Sequence, residues 1–158
     1  MKTPYDRFMK LNEDLKRSVQ LALCSDALGV WNEYAEQNSP ITYIETVVGT
    51  ELDVSEGLPA EAYKAAVTRS KEDWIRKAYL EPICALQDDD LEFPEHITYA
   101  YYAIYNLYCR YSQNESIDDW LIVNQALSAK PTDDEGYRKR FERILELIEV
   151  DEDGRFRL

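Results

Sequence analysis

The stretch Ile97-Thr98-Tyr99-Ala100-Tyr101-Tyr102-Ala103-Ile104-Tyr105-Asn106-Leu107-Tyr108-Cys109-Arg110-Tyr111 decides the fold. It holds no Gly or Pro, and six of the chain's 12 tyrosines fall within it. At 100° per residue, Ile97, Tyr101, Ile104, Tyr108 and Tyr111 form one arc, with His96, Tyr99, Ala103, Asn106 and Arg110 opposite. That spacing predicts a helix with an aromatic core face and a small or polar outer face. Tyr99, Tyr102 and Tyr105 lie off the main stripe, which makes them candidates for a surface role, because tyrosine offers contact area and a hydrogen bond at little entropic cost.

The rest of the chain carries the same local signal. Only 5 Gly and 6 Pro occur in 158 residues, and apolar residues recur every three or four positions. The expectation is an all-α fold: residues 1–158 as a single-domain bundle of about six to seven helices. Thr3-Pro4-Tyr5-Asp6 is a helix start with a capping hydroxyl and proline at the first position. Phe8, Leu11, Leu15, Val19 and Ala22 continue one face, on which Asp26 also falls. Either the helix bends near Ser25-Asp26 or a buried acid is paired there, and Gly29 makes the bend the simpler reading. Ser39-Pro40 repeats the cap-then-proline signature and is read as opening a short helix through Val48. Its β-branched residues make a strand the competing reading. Thr50 to Gly57 reads as a loop. Pro59 begins a further helix, Ser70 with Asp73 resembles a capping box, and Pro82 predicts a kink within the helix that follows. Ser116-Ile117-Asp118-Asp119 and Thr132-Asp133-Asp134-Glu135 cap the last two helices. Phe141, Ile144, Leu145 and Ile148 form the last core face, and residues 150–158 read as a mobile tail.

Chemistry-bearing motifs are sparse. Cys24, Cys84 and Cys109 are odd in number, widely spaced and set among apolar residues, so buried free thiols in a reducing compartment are expected. His96 has no recognisable nucleophile and carboxylate beside it. Asp88-Asp89-Asp90-Leu91-Glu92 lacks the glycine and glutamate of an EF-hand loop, and no HExxH, Cys/His cluster or phosphate-binding glycine loop occurs. No catalytic residue, metal or cofactor is therefore expected. The start, Met1 to Arg7, is charged rather than apolar, and no stretch approaches the ~18 uncharged residues of a membrane span. A cytoplasmic protein is the reading.

Charge is the most informative feature. Eighteen Lys and Arg against 31 Asp and Glu give a net charge of −13, which argues against nucleic acid and anionic membranes as partners. The excess is segregated. Residues 18–63 hold eight acids and no Lys or Arg, and residues 81–135 hold twelve acids against Arg110 and Lys130. Solvated surface explains many such runs, yet self-repulsion costs stability and ordinary helices interleave signs. Blocks so poor in cations point to a face for a basic protein partner.

In size, acidity and helical character the whole chain resembles the small acidic helical immunity proteins of bacterial contact-dependent inhibition and related polymorphic toxin systems. Ala85-Leu86-Gln87-Asp88-Asp89-Asp90 and the 97–111 helix are the most suggestive stretches. The resemblance implies a stoichiometric inhibitor without enzymatic turnover, covering the cationic cleft of a cognate toxin, often a nuclease. Asp88, Asp89, Asp90, Glu92, Glu95, Tyr99, Tyr102, Asp118 and Asp119 are the expected partner-binding residues. Two other readings share the sequence: a helical adaptor or regulator of a different basic protein, and a small helical enzyme using carboxylates, with Asp26 its best suspect.

Overall fold

A computed structural model describes residues 3–130 and 135–152. Among them are seven helices and one two-stranded antiparallel sheet: α1 (Pro4–Met9), α2 (Glu13–Gln37), β1 (Thr42–Ile44), β2 (Glu51–Asp53), α3 (Leu58–Thr68), α4 (Asp73–Gln87), α5 (Glu95–Tyr111), α6 (Asp119–Ser128) and α7 (Glu135–Glu152). The all-helical architecture is as expected.

The decisive stretch forms α5, but its outer face is not an outer face. Along His96 to Tyr111 every residue is buried or half-buried, Ala100 and Ala103 completely so. Small residues on the side opposite the tyrosine stripe admit neighbouring helices closely, and the Cys24 thiol on α2 lies 3.9 Å from the Ala103 carbonyl. α5 therefore runs through the middle of the fold, packed against α2, α3 and α6. Two apolar clusters form along it. One gathers Trp31, Tyr79, Tyr101 and Phe93 with the β-hairpin, and the other gathers Phe8, Leu107, Ile122, Phe141 and Leu145.

Local departures from the sequence reading have local causes. α1 ends at Met9 and α2 starts anew, because the Asn12 side chain accepts from the Leu15 amide at 2.9 Å and caps a second helix. α2 then runs unbroken past Gly29. Asp26 stays on its face because Arg140 of α7 pairs with it, Nε and Nη2 lying 2.9 and 3.3 Å from the carboxylate oxygens. Residues after Ser39-Pro40 form β1, not a helix. Ile41 and Tyr43 are buried while Thr42 and Ile44 are exposed, a period of two that suits the β-branched run. Glu56 holds the approach to this strand, accepting from the Ser39 hydroxyl at 2.9 Å and the Ile41 amide at 3.3 Å. The 50–57 loop in turn contributes β2, in register Thr42↔Asp53, Tyr43↔Leu52 and Ile44↔Glu51.

Ser70 does not cap α4, which begins at Asp73 without a side-chain cap, since the Ser70 hydroxyl is bonded to Thr68 and its carbonyl to Ser112. α4 continues through Pro82. Asp118 caps α6 by accepting from the Trp120 amide at 3.2 Å. The expected 132–135 cap lies largely outside the described residues. Residues 150–152 belong to α7 rather than to a tail, and 153–158 lie outside the described residues. Cys24 and Cys109 are buried free thiols, whereas Cys84 is exposed on α4. Among the described residues no helix is long and apolar enough to cross a membrane.

The buried phenol hydroxyls of Tyr79 and Tyr101 have no hydrogen-bond partner among the described residues, while their rings pack at 4.9 Å. An unsatisfied buried hydroxyl costs about 1–3 kcal/mol. Replacing Tyr79 with Phe should therefore leave stability to urea unchanged or raise it by about 1 kcal/mol. A loss of that size would mean the hydroxyl is bonded in solution. Ala103→Leu should lower stability by about 1–3 kcal/mol through overpacking, where a solvent-facing position would tolerate it.

Candidate functional site

The Asp-rich link between α4 and α5 is shaped by the end of α4. Asp89 adopts the left-handed region at φ 63°, which aspartate tolerates better than most residues. The Asp90 amide then returns to the Ala85 carbonyl at 2.9 Å and the Asp89 amide to Leu86 at 3.4 Å, closing a Schellman motif. Leu91 and Phe93 turn back into the core, so Asp88, Asp89, Glu92 and Glu95 are left exposed beside one another in the chain. This placement is electrostatically adverse. The C-terminal end of a helix carries partial negative charge and favours cations, yet the last turn of α4 has none and three aspartates follow it.

The hairpin is fastened to this link. Asp90 accepts from the Thr46 hydroxyl at 2.8 Å, and Tyr43 donates to Glu81 at 3.3 Å. Burial, joined by the nearby Glu81 and Asp90 carboxylates, pushes the Tyr43 phenol up to about 12, so it remains a donor across the physiological range. At the tip, Glu45 accepts from the Val47 and Val48 amides at 2.8 and 2.9 Å. With its backbone satisfied this way, the tip presents apolar side chains to solvent. Ile44, Val47 and Val48 are 59%, 89% and 76% exposed. Glu51 faces Ile44 across the strand pair, and Asp53 lies two residues on. Exposed apolar residues bordered by charge are the usual composition of a protein-binding surface. Among the described residues Asp88, Asp89, Glu92, Glu95, Glu51 and Asp53 make no ion pair.

The nine residues expected to bind a partner do not share one surface. Asp88, Asp89, Asp90, Glu92 and Glu95 sit together at the start of α5, with Asp90 spent on Thr46. Asp118 and Asp119 sit beyond its other end, about 24 Å away at 1.5 Å per residue along the 17-residue helix. Asp119 is engaged internally, accepting from Gln20 at 3.0 Å and lying 3.6 Å from Arg110. Tyr99 and Tyr102 are half-buried, Tyr99 against the Trp31 cluster. Tyr105 is also half-buried, its ring 4.7 Å from that of Tyr79. Sequence reading placed Ile44, Val47 and Val48 in a short helix and did not single them out as surface residues. The run of β-branched residues was the signal.

Among the described residues that line a groove of about 470 Å³ between α1, α6 and α7 there is one acid, Glu142. His96 makes no side-chain hydrogen bond among the described residues, and Asp26, the enzyme suspect, is held by Arg140. Among the described residues no group of three or more His, Cys, Asp or Glu is placed to hold a metal. Comparison with protein families, curated proteins and solved structures finds no match to this chain.

If Asp90 fastens the hairpin, Asp90→Ala should speed hydrogen exchange at the Thr46 and Glu45 amides about two- to tenfold, the equivalent of one exposed hydrogen bond. Asp88→Ala should leave those amides unchanged.

Proposed function

We propose that this chain is an immunity-type inhibitor, a binding protein that occupies a basic surface of a bacterial toxin domain of the nuclease type and blocks it by occlusion. One observation carries the reading: unpaired Asp88 and Asp89 stand at the negative pole of α4 beside the exposed Ile44, Val47 and Val48. Acids there repel one another and the helix dipole in the free protein, and a cationic partner relieves both. The apolar hairpin tip supplies burial that charge alone does not, since rim charges act mainly on association rate and apolar contacts on dissociation. The near absence of cations from residues 18–63 and 81–135 extends the negative field around this face.

The reading predicts that the adjacent reading frame encodes a toxin C-terminal domain, and the binding test uses that domain. The complex should form with an association rate that falls steeply between low and physiological salt. Asp88→Asn with Asp89→Asn should slow association about three- to tenfold at low salt, and Val47→Ser with Val48→Ser should speed dissociation. Binding and protection that are indifferent to both pairs would refute the assignment of this face.

A further inference from the structure

The buried side of α4 is formed by Ile75, Tyr79, Pro82 and Ala85. On its other side Trp74, Lys77, Leu80, Glu81 and Cys84 are all exposed and fall within an arc of about 120° at 100° per residue. Trp74 and Leu80 are 51% and 50% exposed. A half-exposed indole leaves a large apolar area in water, and tryptophan is among the residues most enriched at interface anchors. The charges on this side are ordered along the helix, with Lys71 and Lys77 toward its N-terminal end and Glu81 and Asp88 toward its C-terminal end. That order opposes the helix dipole, which favours acids at the start and cations at the end. Lys77 precedes Glu81 by four residues, the less favourable order for a pair within one helix. Among the described residues neither of the two, nor Lys71, makes an ion pair, and Glu81 accepts from the Tyr43 hydroxyl instead.

We propose that this face pairs with a second copy of the chain, the two α4 helices running antiparallel about a two-fold axis level with Tyr79. A two-fold contact requires a patch that complements itself, and the order of charge along α4 supplies one. Residues equidistant from Tyr79 then lie opposite each other, so Lys77 faces the partner's Glu81 and Glu81 the partner's Lys77. Trp74 meets the partner's Cys84, a side chain small enough to leave room for the indole, and Leu80 lies beside the partner's Leu80 across the axis. Lys71 is carried to the acidic end of the opposite helix, where Asp88 follows Gln87, and Asp73 falls opposite Ala85. The antiparallel order also sets opposed helix dipoles side by side. A helix of 15 residues is about 22 Å long, and one such face buries less than about 1,200 Å² in total, which suits a dimer of micromolar strength. The pairing does not depend on the toxin reading, and it is tested on this chain alone.

Sedimentation velocity of the full chain at low salt, from about 1 to 500 µM, tests the proposal. The wild type should pass from monomer to dimer across that range, and added salt should move the transition to higher concentration. Lys77→Glu and Glu81→Lys should each weaken self-association about tenfold or more, because symmetry applies every change twice. An equimolar mixture of these two variants should dimerise again, since each then faces opposite charge. Circular dichroism of each variant establishes that the fold is kept. Leu80→Cys with Cys84→Ser should form a disulfide-linked dimer on mild oxidation. The wild type should not, as its two Cys84 lie about 15 Å apart along the paired helices. A chain that stays monomeric throughout, folded single variants that associate like the wild type, or a folded mixture that stays monomeric would overturn the proposal. If Glu81→Lys does not fold, the Leu80→Cys cross-link decides, and its absence overturns the pairing.

Discussion

Burial or half-burial of every residue from His96 to Tyr111, around the whole circumference of α5, is the constraint from which the other elements take their positions. A helix with one apolar stripe lies on a surface, but one that alternates tyrosine with alanine around its circumference can be enclosed. Tyr101 illustrates how. Its ring lies 5.0 Å from Trp31 of α2, 4.9 Å from Tyr79 of α4 and 5.6 Å from Phe93 of the link. One side chain thus fixes three segments relative to α5. At the other end Tyr111 donates to Gln20 of α2, and three guanidiniums, of Arg17, Arg69 and Arg110, lie 5.2, 5.7 and 5.2 Å from its ring centroid. Burial, opposed in part by these arginines and reinforced by Asp119, pushes that phenol up to about 12.

The acidic face follows from this enclosure. Leu91 and Phe93 are drawn into the aromatic cluster, so the residues between and before them must turn outward. The chain reverses through a left-handed Asp89 where glycine is the more common choice. Tyr43 descends toward the same cluster and carries the hairpin with it, and Thr46 meets Asp90 as a result. Packing thereby sets an apolar tip beside an acidic link. Cations are spent elsewhere: Arg17 donates to the Ala66 and Val67 carbonyls at the end of α3, Arg76 lies 2.5 Å from Glu115, and Arg140 holds Asp26.

Periodicity made the helices legible, and capping residues located several of their starts, as at Thr3 and Asp118. What periodicity could not show was the number of neighbours a helix has. Wheel arithmetic put Ala103 and Asn106 opposite the tyrosine stripe, which reads as solvent until α2 and α6 are known to lie there. Asn106 in fact donates to Gln125 of α6 at 2.8 Å. Similarly, Asp26 on an apolar face was legible as a conflict, but its resolution by Arg140 spans 114 positions and leaves no local trace. The hairpin was missed for a different reason: Ser39-Pro40 is a helix-start signature, and it outweighed a β-branched run that Glu56 stabilises from 15 residues away. For the site, acidity and segregation were readable, whereas the split of the nine residues between two ends of α5 and the exposed valines required three-dimensional placement.

The central claim is that Asp88 and Asp89 are held at the end of α4 against their electrostatic preference. The most direct measurement needs no partner: urea denaturation of the wild type and of Asp88→Asn/Asp89→Asn at low and high salt. Asparagine also tolerates the left-handed conformation, so the backbone is not disturbed. The account predicts a variant more stable by about 0.5–1 kcal/mol at low salt, with the difference shrinking as salt screens the charges. A variant equal to or less stable than the wild type at low salt would contradict it.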